Sequence, residues 1–436
     1  MIDKNGVASS GEGLVRAIGR WSMAALIVNC IIGSGAFGLP SILAGLLGHS
    51  SIAAVVLAAG AVAVIMACFS EVASRFDASG GPYLYAQAAF GRFMGIQVAW
   101  LMWFVRLTSC AANANLFVTY LGEFWPGSAS IQATVLILTV LIGLLAVINL
   151  LGVRAGTRVS DWFAVAKLAS LLLVVVLGVF YLARHGSAMR IGSISPERQW
   201  ASGLVLIIFA YGGFETGLIS AGEAKNPRRD IPFGLFVGLA TCAVIYGSIQ
   251  WVVMGVLPDA GHSQRPLADV ARVVLGHGGA VLVAAGALIS IYGYLSGNIL
   301  ATPRITFALA ERGDFPSVFA RIHPRFRTPY FSIVIFSALV WLLARFGSFA
   351  GNATLSAGSR LFYYAVVCAS LPALRRKTRI KAPMHLPGGT ALSVLGVLIC
   401  VVLASQIELG KSLILVGAVA IAFVNWLAVR NTSKIT

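Results

Sequence analysis

Glycines in the middle of two apolar segments could create a binding site inside a membrane. Gly33 and Gly35 flank Ser34 in the first apolar segment, and Gly212 adjoins Gly213 in a later one. Because glycine is about 1 kcal/mol worse than alanine as a helix former, a spanning helix is expected to break there. A broken helix exposes N–H groups that bind an anion and C=O groups that bind a cation.

Two such breaks facing each other suit a zwitterion. The N–H groups of the first break would hold a carboxylate, and the carbonyls of the second would hold an ammonium. Tight packing of helices through small residues explains one glycine cluster well, but two matching clusters less well. In a later segment, the side chains of Tyr292, Tyr294 and Asn298 are expected either to line the pocket or to pack between helices. The predicted binding residues are Ile31, Gly33, Ser34, Gly35, Phe209, Ala210, Gly212, Tyr294 and Asn298.

Charged residues inside apolar segments are the other functional candidates. A charge at the bilayer centre costs about 2.5–3.5 kcal/mol on insertion scales, and Lys167 and Glu215 lie at that depth. The alternatives are a Lys167 side chain that reaches the membrane surface and a Glu215 that is hydrogen-bonded for structure alone. Arg106 and Arg360 also fall within spans. We expect a structural pairing for Arg106 and a position near the outer opening for Arg360.

Composition indicates an all-α integral membrane protein. The 436 residues are 58% hydrophobic and 11% charged, whereas soluble domains are about 25% charged. No polar stretch is long enough for a second domain, so residues 1–436 are assigned to one membrane domain. The net charge of +17 is dispersed among loops, and no nucleic-acid-binding motif accompanies it. The six histidines fall in predicted loops, so no metal, cofactor or catalytic cluster is predicted.

Twelve spans are expected, since a span needs about 20 apolar residues. Most of the 32 Lys and Arg residues lie in loops on the side of the N-terminus, which places both termini in the cytoplasm. The breaks fall in the first and the sixth predicted spans, which are five spans apart. Because five is odd, the two broken helices run in opposite directions, as in inverted repeats. The predicted spans are 21–46, 51–75, 92–121, 131–150, 158–183, 200–222, 232–256, 279–310, 329–346, 355–374, 391–407 and 411–429.

Four segments carry a family resemblance. "IIGSGAFGLP" resembles the first-helix motif of the amino acid–polyamine–organocation (APC) transporter superfamily, and "GGFETGLISAGEAKNPRRDIP" resembles its sixth helix. The segments at 71–91 and 303–316 resemble its helix 2–3 region and the end of helix 8. Asp77 and Ala78 depart from the pattern, where a proline is common.

The resemblance implies the five-plus-five inverted repeat of the leucine-transporter class. Helices 1–5 would occupy 21–183, helices 6–10 would occupy 200–374, and helices 11 and 12 would follow at 391–429. It also implies that Lys167 takes the place of a sodium ion near the first break. Glu215 would be tied to gating or proton coupling.

The predicted function is secondary transport of amino acids across the cytoplasmic (inner) membrane by alternating access. Transport would be sodium-independent, by proton symport or by exchange, with an amino acid or amine, protons and the lipid bilayer as partners. Because only Glu215 could hold a second substrate cation, a neutral substrate is favoured. A polyamine or cationic amino acid carrier or antiporter is the alternative within transport, and a channel or sensor is the alternative outside it.

Overall fold

The computed structural model describes residues 18–76, 80–152, 157–187, 197–377 and 384–430. Asp77 and Ala78 lie outside the described residues, as do residues 1–17. Within the described ranges the regular secondary structure is helical and contains no β-sheet, although an isolated parallel bridge joins Ile18 to Ala224. The prediction of an all-α fold is confirmed.

The spanning helices lie close to the predicted segments. Among the described residues, eight helices are long and apolar enough to cross a membrane, and a bent pair at the start would make a ninth. Two segments predicted as connections between spans contain additional short helices, α4 and α11. The helices are α1 (Arg20–Ile31), α2 (Gly35–Leu47), α3 (Ser50–Ala73), α4 (Pro82–Phe90), α5 (Arg92–Leu121), α6 (Ile131–Leu150), α7 (Thr157–His185), α8 (Glu197–Tyr211), α9 (Phe214–Gly217), α10 (Pro227–Val256), α11 (Pro266–Leu275), α12 (His277–Glu311), α13 (Tyr330–Phe346), α14 (Phe349–Lys377), α15 (Gly389–Ala404) and α16 (Leu409–Val429).

The first apolar segment is broken at the predicted glycines. Helix α1 ends at Ile31, α2 begins at Gly35, and the two are bent by 54°. Ile32 has an extended backbone (φ −69°, ψ 110°), which interrupts the helical hydrogen-bond ladder. The last carbonyls of α1 and the first N–H groups of α2 therefore lack their intrahelical partners.

The second break follows Tyr211, where α8 ends. Helix α9 begins at Phe214, and a 3₁₀ segment continues it over Leu218–Glu223. Gly213 has a φ of 114°, a value that residues with a Cβ rarely adopt. Glycine at this position is therefore required by the backbone itself.

The two broken helices pack against each other half to half. Helix α1 contacts α9 and α2 contacts α8, while α5 packs against both α12 and α14. The backbone of Ile18, just before α1, also exchanges hydrogen bonds with Glu223 and Lys225, at 3.0 and 2.8 Å. The first half of helix 1 and the second half of helix 6 are thus joined at the ends that lie farthest from the two breaks.

A buried acid that the sequence analysis did not single out fixes the scaffold. Glu71 near the end of α3 is fully buried and accepts hydrogen bonds from Arg75 at 2.9 Å and from Arg375 at 2.8 and 2.5 Å. The Leu386 N–H donates to the same carboxylate at 2.9 Å. These bonds tie α3 to the end of α14.

Candidate functional site

A cavity of about 190 Å³ lies between the two breaks. A cavity needs roughly 10–15 Å³ to hold one water molecule, so this cavity has room for a ligand of metabolite size. All nine residues predicted to bind substrate line it, together with Glu215. The predicted residues on its wall are Ile31, Gly33, Ser34, Gly35, Phe209, Ala210, Gly212, Tyr294 and Asn298.

The first break presents backbone and hydroxyl groups to this cavity. Ser34 precedes the first turn of α2, and its Oγ is buried without a hydrogen-bond partner among the described residues. Buried polar atoms are normally paired, so this hydroxyl is available to a ligand. A Cβ on Gly35 would lie 3.0 Å from Cα and Cβ of Ala210. Glycine at 35 therefore lets the two broken helices approach closely.

The second break touches the first through its backbone. A Cβ on Gly213 would lie 2.2 Å from the carbonyl oxygen of Cys30. This contact and the positive φ of Gly213 exclude a side chain for independent reasons.

Replacing Gly213 with alanine should reduce the amount of folded protein and lower its melting temperature. Backbone strain of this kind costs about 1–3 kcal/mol, and the contact with Cys30 adds to it. Gly60→Ala is the matched control, because a Cβ on Gly60 would have no atom within 4 Å. Equal yield and melting temperature in the two variants would contradict this assignment.

Tyr246 of α10 connects the two breaks and was not predicted. Its hydroxyl lies 3.2 Å from the carbonyl oxygen of Ile31 and 3.1 Å from that of Ala210. One carbonyl predicted to hold an ammonium is thus already shared with a tyrosine. A carbonyl oxygen has two lone pairs, so this contact leaves Ala210 able to accept a second donor.

Lys167 of α7 lies behind the first break rather than on the cavity wall. Its ammonium donates to the carbonyl oxygen of Asn29 at 2.9 Å, to Oδ1 of Asn29 at 2.7 Å and to the carbonyl oxygen of Ile32 at 2.7 Å. The side chain is 8% exposed. The ammonium therefore lies at the first break and contacts carbonyls of helix 1 rather than the membrane surface.

Glu215 is surrounded by hydrogen-bond donors. Its Oε1 accepts from Nε of Arg360 at 3.2 Å and from the Tyr363 hydroxyl at 2.8 Å. Its Oε2 accepts from the Tyr364 hydroxyl and from the Gly213 N–H, both at 2.9 Å. The carboxylate therefore ties the second break to α14.

Arg360 lies deeper than its predicted place near the outer opening. Helix α14 begins at Phe349 rather than near residue 355, so Arg360 lies farther inside the helix. The side chain is 7% exposed and borders the cavity. A Cβ on Gly212 would lie 2.5 Å from the guanidinium carbon, so the arginine is packed against the second break.

Arg106 of α5 connects three helices at the cavity wall. Its guanidinium donates to Oδ1 of Asn298 on α12 at 3.1 Å and, more weakly, to Oγ1 of Thr216 on α9 at 3.5 Å. The expected pairing of Arg106 is therefore with neutral polar groups.

The residues that sequence reasoning missed are Asn29, Tyr246, Tyr363 and Tyr364. Each is a polar residue within an apolar segment, which was the available signal. That signal was weak, because tyrosine and asparagine in spans also serve ordinary helix packing.

Comparison with known proteins gives consistent results over nearly the whole chain. A family model described as amino acid permease matches residues 18–427. The methylthioribose transporter of Bacillus subtilis (strain 168) is 26% identical, over 97% of this chain and 93% of its own length. From the same organism, the serine/threonine exchanger is 26% identical over 76% of this chain and 77% of its own length. The branched-chain amino acid permease is 24% identical over 91% of this chain and 89% of its own length. These relatives are named as transporters and not as enzymes.

Proposed function

Because this multi-pass membrane protein belongs to the amino acid permease family, within the APC superfamily, we propose that it carries amino acids across the cytoplasmic membrane by alternating access. One observation carries the proposal. The broken ends of two helices line a single central cavity, with free N–H groups on one side and carbonyls on the other. This arrangement suits the carboxylate and the ammonium of an amino acid.

The proposed topology has twelve spans with both termini in the cytoplasm. Two inverted repeats, 21–183 and 200–374, would each begin with a broken helix, and 391–429 would provide two scaffold helices. The positions of the two breaks and the contacts of α1 with α9 and of α2 with α8 support this arrangement.

The coupling that we propose does not use sodium. The Lys167 ammonium occupies the carbonyl end of α1, where a cation would otherwise be favoured. Its three short bonds to Asn29 and Ile32 support this role. Proton symport and exchange are both compatible with a lysine at this position. Symport through Lys167 requires that the ammonium release its proton during transport, whereas exchange requires only that the ammonium remain bound.

The substrate is proposed to carry the zwitterionic backbone of an amino acid. Glu215 is neutralised by Arg360 at 3.2 Å, so it is not free to hold a second cation. This argues against the alternative of a polyamine or cationic amino acid carrier. Two of the relatives reported above are named for serine and threonine and for branched-chain amino acids, which supports an amino acid as the substrate.

Counterflow into proteoliposomes tests the function directly. Vesicles loaded with an unlabelled amino acid should transiently accumulate the labelled form of that amino acid from outside, because a carrier exchanges internal for external substrate. Empty vesicles and vesicles without protein are the controls. A channel would equilibrate the label without transient accumulation, and a sensor would not move it. Either result with a full panel of amino acids would contradict the proposal.

Replacing Gly35 with leucine should abolish substrate binding. The added side chain would enter the space between α2 and Ala210, where a Cβ alone would already lie at 3.0 Å. Binding to purified protein is the measurement. The matched control is Gly143→Leu on α6, since a Cβ there would have no atom within 4 Å. Normal affinity in a folded Gly35→Leu variant would remove the first break from the site.

A further inference from the structure

The charges on the wall of the central cavity do not balance. Among the described residues, Arg106, Glu215 and Arg360 are the charged residues that line it. Glu215 and Arg360 form a buried ion pair at 3.2 Å, so these two charges cancel. Arg106 makes no ion pair with any described residue, and its contacts are to the neutral side chains of Asn298 and Thr216. The wall therefore carries one positive charge in excess.

The Arg106 guanidinium has unused capacity to bind an anion. It contains five N–H donors in a planar arrangement that matches a carboxylate, and it forms two hydrogen bonds to the residues that the structure describes. The side chain is half-buried and borders the cavity. Buried Ser34 Oγ and Asn113 Oδ1 on the same wall also lack partners among the described residues. The guanidinium and Ser34 Oγ can donate to an anionic group of a ligand, whereas Asn113 Oδ1 can only accept, as from an ammonium.

A second cavity adjoins the first at Arg106. It has a volume of about 210 Å³, and Met102 and Arg106 line both cavities. The other charged residue on its wall is Arg312, which is exposed at its surface. Among the described residues, no carboxylate lines this second cavity. The fixed charges along both cavities thus favour an anion and disfavour a cation.

From these charges we propose that Arg106 selects substrates with a second anionic group, so that the transported class is amino acids with an acidic side chain. The inference rests on the proposed function, which places the substrate backbone at the two breaks. A bound acidic amino acid carries a net charge of −1 and would neutralise the cavity. A neutral amino acid would leave Arg106 uncompensated, and a cationic one would be repelled.

Binding to the purified wild-type protein provides the first test. Glutamate and glutamine have nearly the same shape but differ in a carboxylate, as do aspartate and asparagine. Of glutamate and aspartate, we expect the one with the higher affinity to bind about tenfold to a hundredfold more tightly than its amide. This ratio corresponds to the free energy of a hydrogen bond to a charged group. Equal affinity for acid and amide, or preference for the amide, would overturn the inference.

Arg106→Gln tests the residue itself. Affinity for the acid should fall to that for its amide, while affinity for the amide should change little. Arg304→Gln is the matched control, because Arg304 lies on α12 and donates to the carbonyl oxygen of Leu300 in its own helix. If Arg106 only joins helices, the variant would lose both ligands in equal proportion. Should the variant fail to fold, the wild-type comparison of acid and amide still decides.

Counterflow separates this inference from the proposed function. Counterflow of glutamate or aspartate that exceeds that of the matching amide supports both. Counterflow of neutral amino acids alone would overturn the role of Arg106 and leave the proposed function intact. An absence of counterflow with every amino acid would overturn both.

Discussion

Replacing Lys167 with alanine should lower uptake into proteoliposomes by about a hundredfold, from the loss of roughly 3 kcal/mol in charge-assisted hydrogen bonds. The ammonium bonds both the backbone and the side chain of Asn29 and the carbonyl oxygen of Ile32. Removing it leaves buried carbonyls at the end of α1 without a donor. The first half of helix 1 then loses its attachment to α7, and sodium in the assay should not restore uptake.

Lys411→Ala is the matched control for this experiment. Lys411 forms a 2.8 Å ion pair with Glu408 at the start of α16, and such surface pairs contribute only about 0–1 kcal/mol. Uptake should be measured with sodium and pH gradients imposed separately. Wild-type uptake that is driven by an inward proton gradient would support symport. Exchange without a gradient would support a Lys167 that stays bound to helix 1 throughout transport. A strict sodium requirement in the wild type, or normal uptake by Lys167→Ala, would refute the proposed role.

Replacing Glu215 with glutamine should destabilise the protein and reduce uptake at every pH. The change leaves Arg360 buried without a counter-ion, and breaking a buried ion pair costs about 3–5 kcal/mol. It also weakens the bonds from Tyr363 and Tyr364. With four donors around it, the carboxylate is expected to stay a fixed anion during transport. The melting temperature should therefore fall, and the shape of the pH profile should not change.

A second substitution distinguishes a structural ion pair from a proton relay. Adding Arg360→Met to Glu215→Gln removes the uncompensated charge and should recover part of the lost melting temperature. Glu408→Gln, at an exposed acid, should have little effect on either measurement. A folded Glu215→Gln variant with a pH profile of altered shape would instead indicate that Glu215 transfers a proton.

Local sequence was sufficient to locate the helix breaks and the embedded charges. Gly33, Gly35 and the pair at 212–213 interrupt runs that otherwise favour helix, and helices end within a few residues of each. Lys167 and Glu215 were identifiable because a charge in an apolar run is costly wherever the helix is placed. These properties depend on near neighbours in the chain, which a single sequence contains.

Local sequence was less informative about the ends of helices and about short connecting helices. The start of α14 at Phe349 moved Arg360 inward from its expected place. The short helices α4 and α11 lie in segments too short and too polar to be recognised as spans. Hydropathy averages over about 20 residues, so it does not resolve features of this size.

The partners of the embedded charges were decided by tertiary structure alone. The sequence predicts that Glu215 needs hydrogen-bond donors, but Arg360 and Tyr363 reach it from a helix that lies far along the chain. The same holds for Tyr246, which joins two breaks that are themselves distant in sequence. Burial makes an unpaired polar group costly, which is a local property. The choice of partner depends on which helices pack together and on how they are rotated, and no local pattern specifies that packing.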